Sequence, residues 1–379
     1  MRKTKGKKGI TLVALVITIV ILLILAGISI STLTNTGIFQ KAKDAKNASE
    51  NAEKKQNEIL DEYEKEMDQY GDNTLVAIFN SGKIKVGDYV SYTPDQASTD
   101  EILEELKIYS GTIANTSETL TQEPELKWRV LDAKDGNVRL ISAEPTKSTI
   151  TLFGAKGYNN AVYLIDKTCK TLYNNSKLAS NVQNLKIEDI QEHLKYNYKK
   201  YENLNVDTGK YGGTKEFTEN KNYPSIFAKE KNAWVDGKEG KELGLSEQIK
   251  PIDETYESAE TSIKVTQTCW YKSMDLNDFN NSIYYNLFIN NEKNYPIYWM
   301  SSRCVDSAFH KNFSNYVSFN IYYVESGNVN AYGIYGSFLN NGGNSPSYVF
   351  RPVITLNSSV QLDKGKLGDG TINTPFNIK

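Results

Sequence analysis

The sequence predicts an α+β protein in which a long N-terminal transmembrane and stalk helix is followed by a mixed α+β head. Three observations predict it. Ile10–Ile30 reads ITLVALVITIVILLILAGISI, a run without a charge. Beyond it, small and apolar residues recur at helical spacing as far as Tyr70, with Lys, Glu, Asp and Asn on the other side. From Thr74 onward the pattern changes to alternating segments punctuated by Gly, Asn and Asp, as in strands and turns.

Met1–Gly9 (MRKTKGKKG) carries five cations and no acid. At about 1.5 Å per residue, a helix over Ile10–Ile30 reaches roughly 30 Å, the thickness of a bilayer's hydrocarbon core. A basic cluster before such a run stays in the cytoplasm and places the C-terminal bulk outside. The expected location is therefore the cell membrane, crossed once, with the head outside. The expected divisions are a leader at 1–9, a hydrophobic helix at 10–34, an amphipathic stalk helix at 35–72 and a head at 73–379. Asn35-Thr36-Gly37 marks the join between the two helical halves. The stalk stripe is Ile38, Ala42, Ala45, Ala52, Ile59, Tyr63, Met67 and Tyr70, and Gly71-Asp72-Asn73 ends it.

In the head, Thr74–Phe79 and Lys83–Tyr92 alternate as strands do. Trp128–Ala133 and Val138–Ser142 flank Lys134-Asp135-Gly136-Asn137, a hairpin signal, with Trp128, Val130, Val138 and Leu140 on the buried faces. Helices are expected at Asn160–Tyr173, which buries Cys169, and at Ile187–Leu194, with His193 on its polar side. Residues 196–260, rich in Lys, Asn, Glu and Gly, read as a surface insertion. Asp278–Ile289 reads as helical. Tyr316–Val324 alternates, with Val317, Phe319, Ile321 and Tyr323 on one face and Tyr316, Ser318, Asn320 and Tyr322 on the other. Glu325–Asn328 is a turn, Val329–Ile334 the return strand and Phe350–Leu356 a closing strand.

The formal net charge is −2; without the five cations of the leader it is −7, 39 basic against 46 acidic residues. No nucleic-acid partner is expected from that balance. The two histidines, His193 and His310, cannot build a multi-His site, and no cluster has zinc spacing. Cys304, Asp306 and His310 lie close in sequence without the surroundings of a Cys–His nucleophile. No metal, cofactor or catalytic residue is expected, and the chain does not read as an enzyme. Cys169, Cys269 and Cys304 are too few for a disulfide framework and read as buried thiols; an exported chain could still pair two, Cys269 and Cys304 being nearest in sequence. Arg303 and Arg351 read as buried partners of carboxylates or carbonyls. Tyr gives large contact area with a polar tip, and Asn adds adaptable hydrogen bonds, a pairing suited to recognition. Tyr316, Asn320, Tyr322, Asn328, Asn330 and Tyr332 are the candidate ligand-binding residues, while Tyr298 and Tyr323 are assigned to the core.

The junction Lys8-Gly9-Ile10-Thr11-Leu12 resembles the processing site of type IV pilins and pseudopilins, in a form similar to Gram-positive pilin-like proteins. The resemblance implies that a prepilin peptidase cuts between Gly9 and Ile10 and methylates the new N-terminus. It also implies other pilin subunits as partners. The family usually carries Glu at the fifth mature position, where this chain has Ala14. Ala14 cannot neutralise a neighbour's terminal amine in an apolar bundle, where an unpaired charge is costly. That departure fits a minor or tip subunit, or a membrane-anchored display protein, rather than a self-polymerising one.

The head resembles an uncharacterised domain of Gram-positive pilin-like and surface proteins. The residues that carry it are Val86–Val90, Trp128–Leu131, Gly157–Asn160, Cys169–Tyr173, Tyr298–Arg303 and Arg351–Val353. Its ending, Arg351-Pro352-Val353 after a stretch rich in Gly, Asn and Tyr, is similar to the C-type-lectin-like fold, which the C-terminal part is expected to share. Some members of that fold are diversified by retroelements that rewrite adenines, and Phe313–Tyr348 is the window this would address here. An AT-rich genome enriches the same residues, so both readings stand. The expected function is a surface-displayed pilin-like binding protein, a minor or tip pilin or adhesin. It presents a lectin-like head to a surface ligand, whether glycan, protein or phage. The alternative is a structural minor pseudopilin of a secretion or DNA-uptake machine. Mass spectrometry of the N-terminal peptide from native cells should find a mature chain beginning at Ile10; an intact Met1–Gly9 removes the processing assignment.

Overall fold

The computed structural model describes residues 16–22, 44–59, 73–111, 120–197, 214–217, 222–226, 246–258, 263–266, 269, 272–289, 295–310, 313–325, 327–336 and 345–379. They fall into two units, Met1–Asp72 and Asn73–Lys379. In the first, residues 16–22 and 44–59 are helical. This corrects the expected N-terminal architecture. Among the described residues there is no long transmembrane and stalk helix, and none is long and apolar enough to cross a membrane. Residues 44–59 expose nearly every side chain, Ile59 included. A stripe built mainly of Ala offers little apolar area for packing, from which most helical stability comes. The leader, the Gly9–Ile10 junction and Ala14 lie outside the described residues.

The head is a mixed α+β unit. In chain order it comprises α1 (Leu75–Asn80), β1 (Tyr89–Ser91), α2 (Asp100–Tyr109), β2 (Trp128–Lys134), β3 (Asn137–Ser142), β4 (Ile150–Thr151), α3 (Gly154–Tyr173), β5 (Ala179–Asn184) and α4 (Ile187–Gln191). Then come β6 (Thr214–Phe217), β7 (Asn222–Pro224), β8 (Tyr256–Ser258), β9 (Ile263–Thr266), β10 (Lys272–Ser273), a 3-10 turn at Leu276–Asp278 and α5 (Ile283–Phe288). The last strands are β11 (Tyr298–His310), β12 (Phe313–Glu325), β13 (Asn328–Gly336), β14 (Ser347–Tyr348), β15 (Pro352–Leu356) and β16 (Phe376–Asn377).

Two sheets organise these elements. The first has the order β16-β1-β2-β3-β15-β5 and the second β10-β13-β12-β11. Short pairs β14-β4, β6-β9 and β7-β8 attach around them. Helix α3 packs on strands of both sheets, β5 and β15 of the first and β11, β12 and β13 of the second. Its face buries Tyr158, Ala161, Leu164, Ile165, Cys169, Leu172 and Tyr173 with Trp128, Val130, Leu140 and Ile354 from one sheet and Trp299, Phe319 and Ile321 from the other. A second core lies among Leu131, Ile141 and Val353, Met300, Tyr322 and Val324, and the α4 and α5 residues Ile187, Ile190, Leu287 and Phe288. Both cores lie wholly within 73–379.

Buried polar side chains join the layers. Asn184, at the end of β5, is fully buried. Its Nδ2 donates to the Trp299 carbonyl (2.8 Å) in β11, and its Oδ1 accepts from the Arg351 amide (2.6 Å) just before β15. One amide therefore bridges the two sheets. Arg351 donates to the carbonyls of Ser142 and Ala143, and Arg303 to the Asn159 carbonyl and Gln248. Both arginines hold the buried, carbonyl-paired places expected of them. Trp128 and Trp299 are buried. The β2–β3 hairpin forms as the sequence predicts; Asp135 and Gly136 take φ of 51° and 77°, matching the twist of the flanking strands.

Other expectations are corrected. Thr74–Phe79 begins a helix, because Thr74 Oγ1 caps the Ala77 amide (3.4 Å) and Leu75 and Ile78, a turn apart, are both buried. Lys83–Tyr92 is strand only at Tyr89–Ser91, since Gly87 turns the chain at φ 91°. The central helix starts at Gly154, not Asn160, and Asp278–Ile289 divides at Phe279, whose backbone bridges to Leu194. Cys269 and Cys304 form a disulfide rather than two thiols, while Cys169 is a buried free thiol as read.

The described parts of 196–260 are anchored on α3 at a few points, while Glu247, Ile249, Lys250, Asp253 and Glu254 are exposed. Asn159 of α3 donates to Ser225 and the carbonyls of Glu254 and Thr255, and Asn160 exchanges hydrogen bonds with the Ile252 backbone. Two buried amides on one helix thus replace the apolar pattern that would have announced the contact. Asn184→Ala should lower the head's stability by about 3 kcal/mol, because it orphans a buried donor and a buried acceptor. Urea unfolding measures it; a loss below about 0.5 kcal/mol would show that the bridge holds nothing.

Candidate functional site

The tyrosines of the second sheet gather at one place. In β11–β12–β13, Trp299 pairs with Tyr323, Tyr323 with Asn330, and Ile321 with Tyr332. All lie on the face that α3 covers farther along, where Tyr158 meets Phe319 edge-on at 5.2 Å. Where the cover ends, Tyr323 and Tyr332 are partly buried, each keeping some surface in solvent. Tyr348 of β14 joins them, because the backbone beside it pairs with β11: the Trp299 amide donates to the Val349 carbonyl (2.9 Å).

The rings form a closed cluster. Tyr323–Tyr348 centroids are 5.5 Å apart, Tyr332–Tyr348 6.1 Å and Tyr323–Tyr332 6.2 Å. Trp299 lies beneath, fully buried, 4.5 Å from Tyr348, with its indole N–H donating to the Ile150 carbonyl (2.9 Å). Rings at these separations touch one another. The cluster is a platform on which a ligand can stack, not a cage that encloses one. Burial, then the neighbouring Tyr323, Tyr332 and Glu325, pushes the Tyr348 hydroxyl up to about 12. Burial, then Glu325 and Tyr332, raises Tyr323 as well. Both are neutral donors at physiological pH, and Glu325 gives the site an acidic neighbour.

The six candidates separate. Tyr332, Asn328 and Asn330 are partly exposed in β13. Tyr316 pairs with Ala308 in the ladder, and its side chain lies outside the described residues. Asn320 and Tyr322 are buried, 3% and 2% exposed. Asn320 Nδ2 lies 3.1 Å from the Cys269 sulfur and its Oδ1 accepts from Ser318 (2.7 Å). Tyr322 packs in the second core. The cause is that this sheet is covered on both faces, so alternation along β12 separates one core from the other instead of inside from outside. Tyr323, assigned to the core, is partly buried and packs against its edge, and Tyr348 was not singled out. Its only signal was an aromatic two residues before a buried Phe350.

A second polar cluster lies under β2 and β3. Arg139 is buried and donates to both oxygens of Asp132 and to Asp189 Oδ1 (2.5 Å). His193 does not sit on a polar surface. Its Nε2 is 3.2 Å from Asp132 Oδ2, and its ring stacks on Tyr284 at 3.7 Å, which shields it from water. Burial favours a neutral Asp132, but the hydrogen bonds from Arg139 and His193 outweigh it and hold the carboxyl below its ordinary value. Arg139 is pushed up, its two carboxylates outweighing burial. The cluster is a clamp among β2, β3 and α4. Among the described residues no three His, Cys, Asp or Glu side chains converge as a metal site.

Comparison with protein-family models, with curated proteins and with solved structures finds no match to this chain. The site's chemistry therefore rests on its own geometry.

Asp132 is depressed in the folded state, so its contribution is present above about pH 4, the unfolded value, and is lost as pH falls through the lower folded value. Asp132→Asn should cost about 3 kcal/mol at pH 7, because it strips one partner from a buried guanidinium. It should also flatten the fall of melting temperature between pH 5 and 2. An unchanged acid limb would place the acid sensitivity elsewhere.

Proposed function

We propose that the chain is an exported, surface-held binding protein whose head recognises its ligand on the tyrosine platform of Tyr323, Tyr332 and Tyr348. The observation that carries this reading is the platform itself: three touching, partly buried rings braced by a buried tryptophan. Aromatic anchors of this kind dominate binding energies where water is excluded. A sugar ring suits it best, its C–H face stacking on tyrosine while the hydroxyls and Asn330 meet its polar groups. Glu325 beside the platform favours a neutral glycan over an acidic one.

Export is supported by the leader's five cations and the uncharged run after them, read from the sequence. It is supported also by the Cys269–Cys304 disulfide, since such bonds persist in oxidising compartments. In this reading a prepilin peptidase processes the chain at Gly9–Ile10, the apolar run tethers it to the membrane, and other pilin subunits carry it. Diversification of Phe313–Tyr348 would have little room, because Phe319, Asn320, Ile321, Tyr322 and Val324 are all buried.

The test is a head fragment, residues 73–379, screened on neutral and acidic glycans and on candidate protein ligands. Tyr323→Ala with Tyr332→Ala should weaken binding to neutral glycans by more than about tenfold. Its stability should fall by no more than about 1 kcal/mol, the scale for partly exposed positions. If the double variant binds every hit as the wild type does, the platform is not the site. If no ligand class binds, the structural pseudopilin reading replaces this one.

A further inference from the structure

Of the four arginines beyond the leader, three spend their guanidinium groups inside the protein. Arg139 holds two carboxylates, Arg303 and Arg351 hold carbonyls. Arg129 does not. It follows Trp128 in β2 and points to the opposite side from that buried ring, paired across the ladder with Tyr89 of β1. Its Nε donates to the Gly87 carbonyl (2.7 Å), and its guanidinium carbon lies 5.2 Å from the centre of the Tyr89 ring. Its two terminal nitrogens have no hydrogen-bond or ion-pair partner among the described residues.

The group is held in place rather than left loose. Gly87 has φ 91°, and a Cβ there would come 2.9 Å from Ile283 and 3.0 Å from an Arg129 terminal nitrogen. The absent side chain is what lets the guanidinium lie against the turn. The cation faces a groove of about 930 Å³ between the 121–127 and 143–148 segments, walled by Tyr89, Tyr295 and Asn286. Burial lowers the Arg129 pKa, but a guanidinium keeps its charge at neutral pH. An aimed, half-buried cation with a free fork is a receptor for a carboxylate, which it can meet through two parallel hydrogen bonds.

The rest of the groove narrows the ligand. Glu123, Glu125 and Glu144 share its walls with Lys127 and Lys147. Glu123 is tied to the Lys147 amide (2.7 Å), and Glu144 lies 3.5 Å from the Tyr295 hydroxyl. A polyanion such as an acidic polysaccharide would set a negative charge against these glutamates at every ring. An extended peptide brings one terminal carboxylate, then a neutral backbone that a mixed wall can bond. We propose that this groove binds the C-terminal carboxylate of a peptide, with Arg129 as its anchor and Tyr89 and Tyr295 as its walls. The site is separate in sequence and residues from the tyrosine platform, and it stands whether or not the platform binds sugars.

The experiment compares two mixed pentapeptide pools on the head fragment, which contains both cores. One pool ends in free carboxylates and the other in amides, and binding is followed through the Arg129 Nε–H resonance and by calorimetry. The free-acid pool should bind and shift that resonance. The amide pool, and Arg129→Gln with its fold checked by melting, should bind at least about tenfold more weakly, the scale of a lost charge-assisted pair. Tyr323→Ala should leave the affinity unchanged. Equal binding of the two pools, full affinity in Arg129→Gln, no binding at millimolar peptide, or tighter binding of an oligogalacturonate than of any peptide would each overturn the assignment.

Discussion

The head depends on the side-chain amide of Asn184. Two separate sheets must lie side by side for α3 to cover one face of both and for α4 and α5 to cover the other. Apolar packing alone does not fix such an arrangement, because it is nondirectional and would accept a sliding of one sheet past the other. The Asn184 amide supplies direction: its acceptor fixes the approach to β15 and its donor fixes β11. The neighbouring backbone repeats the theme, with the Ser301 amide on the Leu185 carbonyl and the Leu185 amide on the Arg351 carbonyl. These bonds lie where water cannot replace them, so each misalignment would leave a polar group unsatisfied.

With the sheets fixed, the places where covering ends are fixed too. The tyrosine platform is the end of the face that α3 covers, and the Arg129 groove opens beside the start of β2. Both expose groups whose near neighbours are wholly buried: Tyr323 beside Tyr322, Arg129 beside Trp128. A rigid buried neighbour in the same strand fixes the backbone that carries an exposed aromatic or cation, which reduces the ordering needed when a ligand arrives.

Much of the head was legible from local pattern. The β2–β3 hairpin, the helix carrying Cys169 and the long strand around Phe319 each rest on signals within a few residues, so a single chain displays them. What failed were inferences that needed partners. The alternation in Tyr316–Val324 was read with one face in water, because nothing local says that a second layer exists; Asn320 and Tyr322 were misplaced by that one missing fact. The stretch 196–260 read as a surface insertion, and its points of attachment were not visible because they use Asn159 and Asn160, polar residues that carry no periodic signature. Thr74–Phe79 satisfied strand and helix patterns alike, and a single capping hydroxyl decided between them. The N-terminal helix was read from composition and spacing, which weigh propensity but not the packing that sustains length. The platform required cross-strand register, and Tyr348 belongs to a two-residue strand whose pairing with β4 spans most of the head.

The two ends of the head are closed by one residue. Gln361 bridges Thr74 and exchanges backbone hydrogen bonds with Lys379, while the Leu75 amide donates to the Val360 carbonyl (2.7 Å). Tension arriving along the chain at Asn73 therefore meets first a seam of a few backbone bonds, loaded one after another, at the edge of the first core, to which Leu75, Val360 and Leu362 belong. Such a seam peels at low force and lengthens the chain, whereas strands in the interior would have to shear together. The seam is a mechanical fuse for the head. It yields first, and the two sheets joined through Asn184 outlast it.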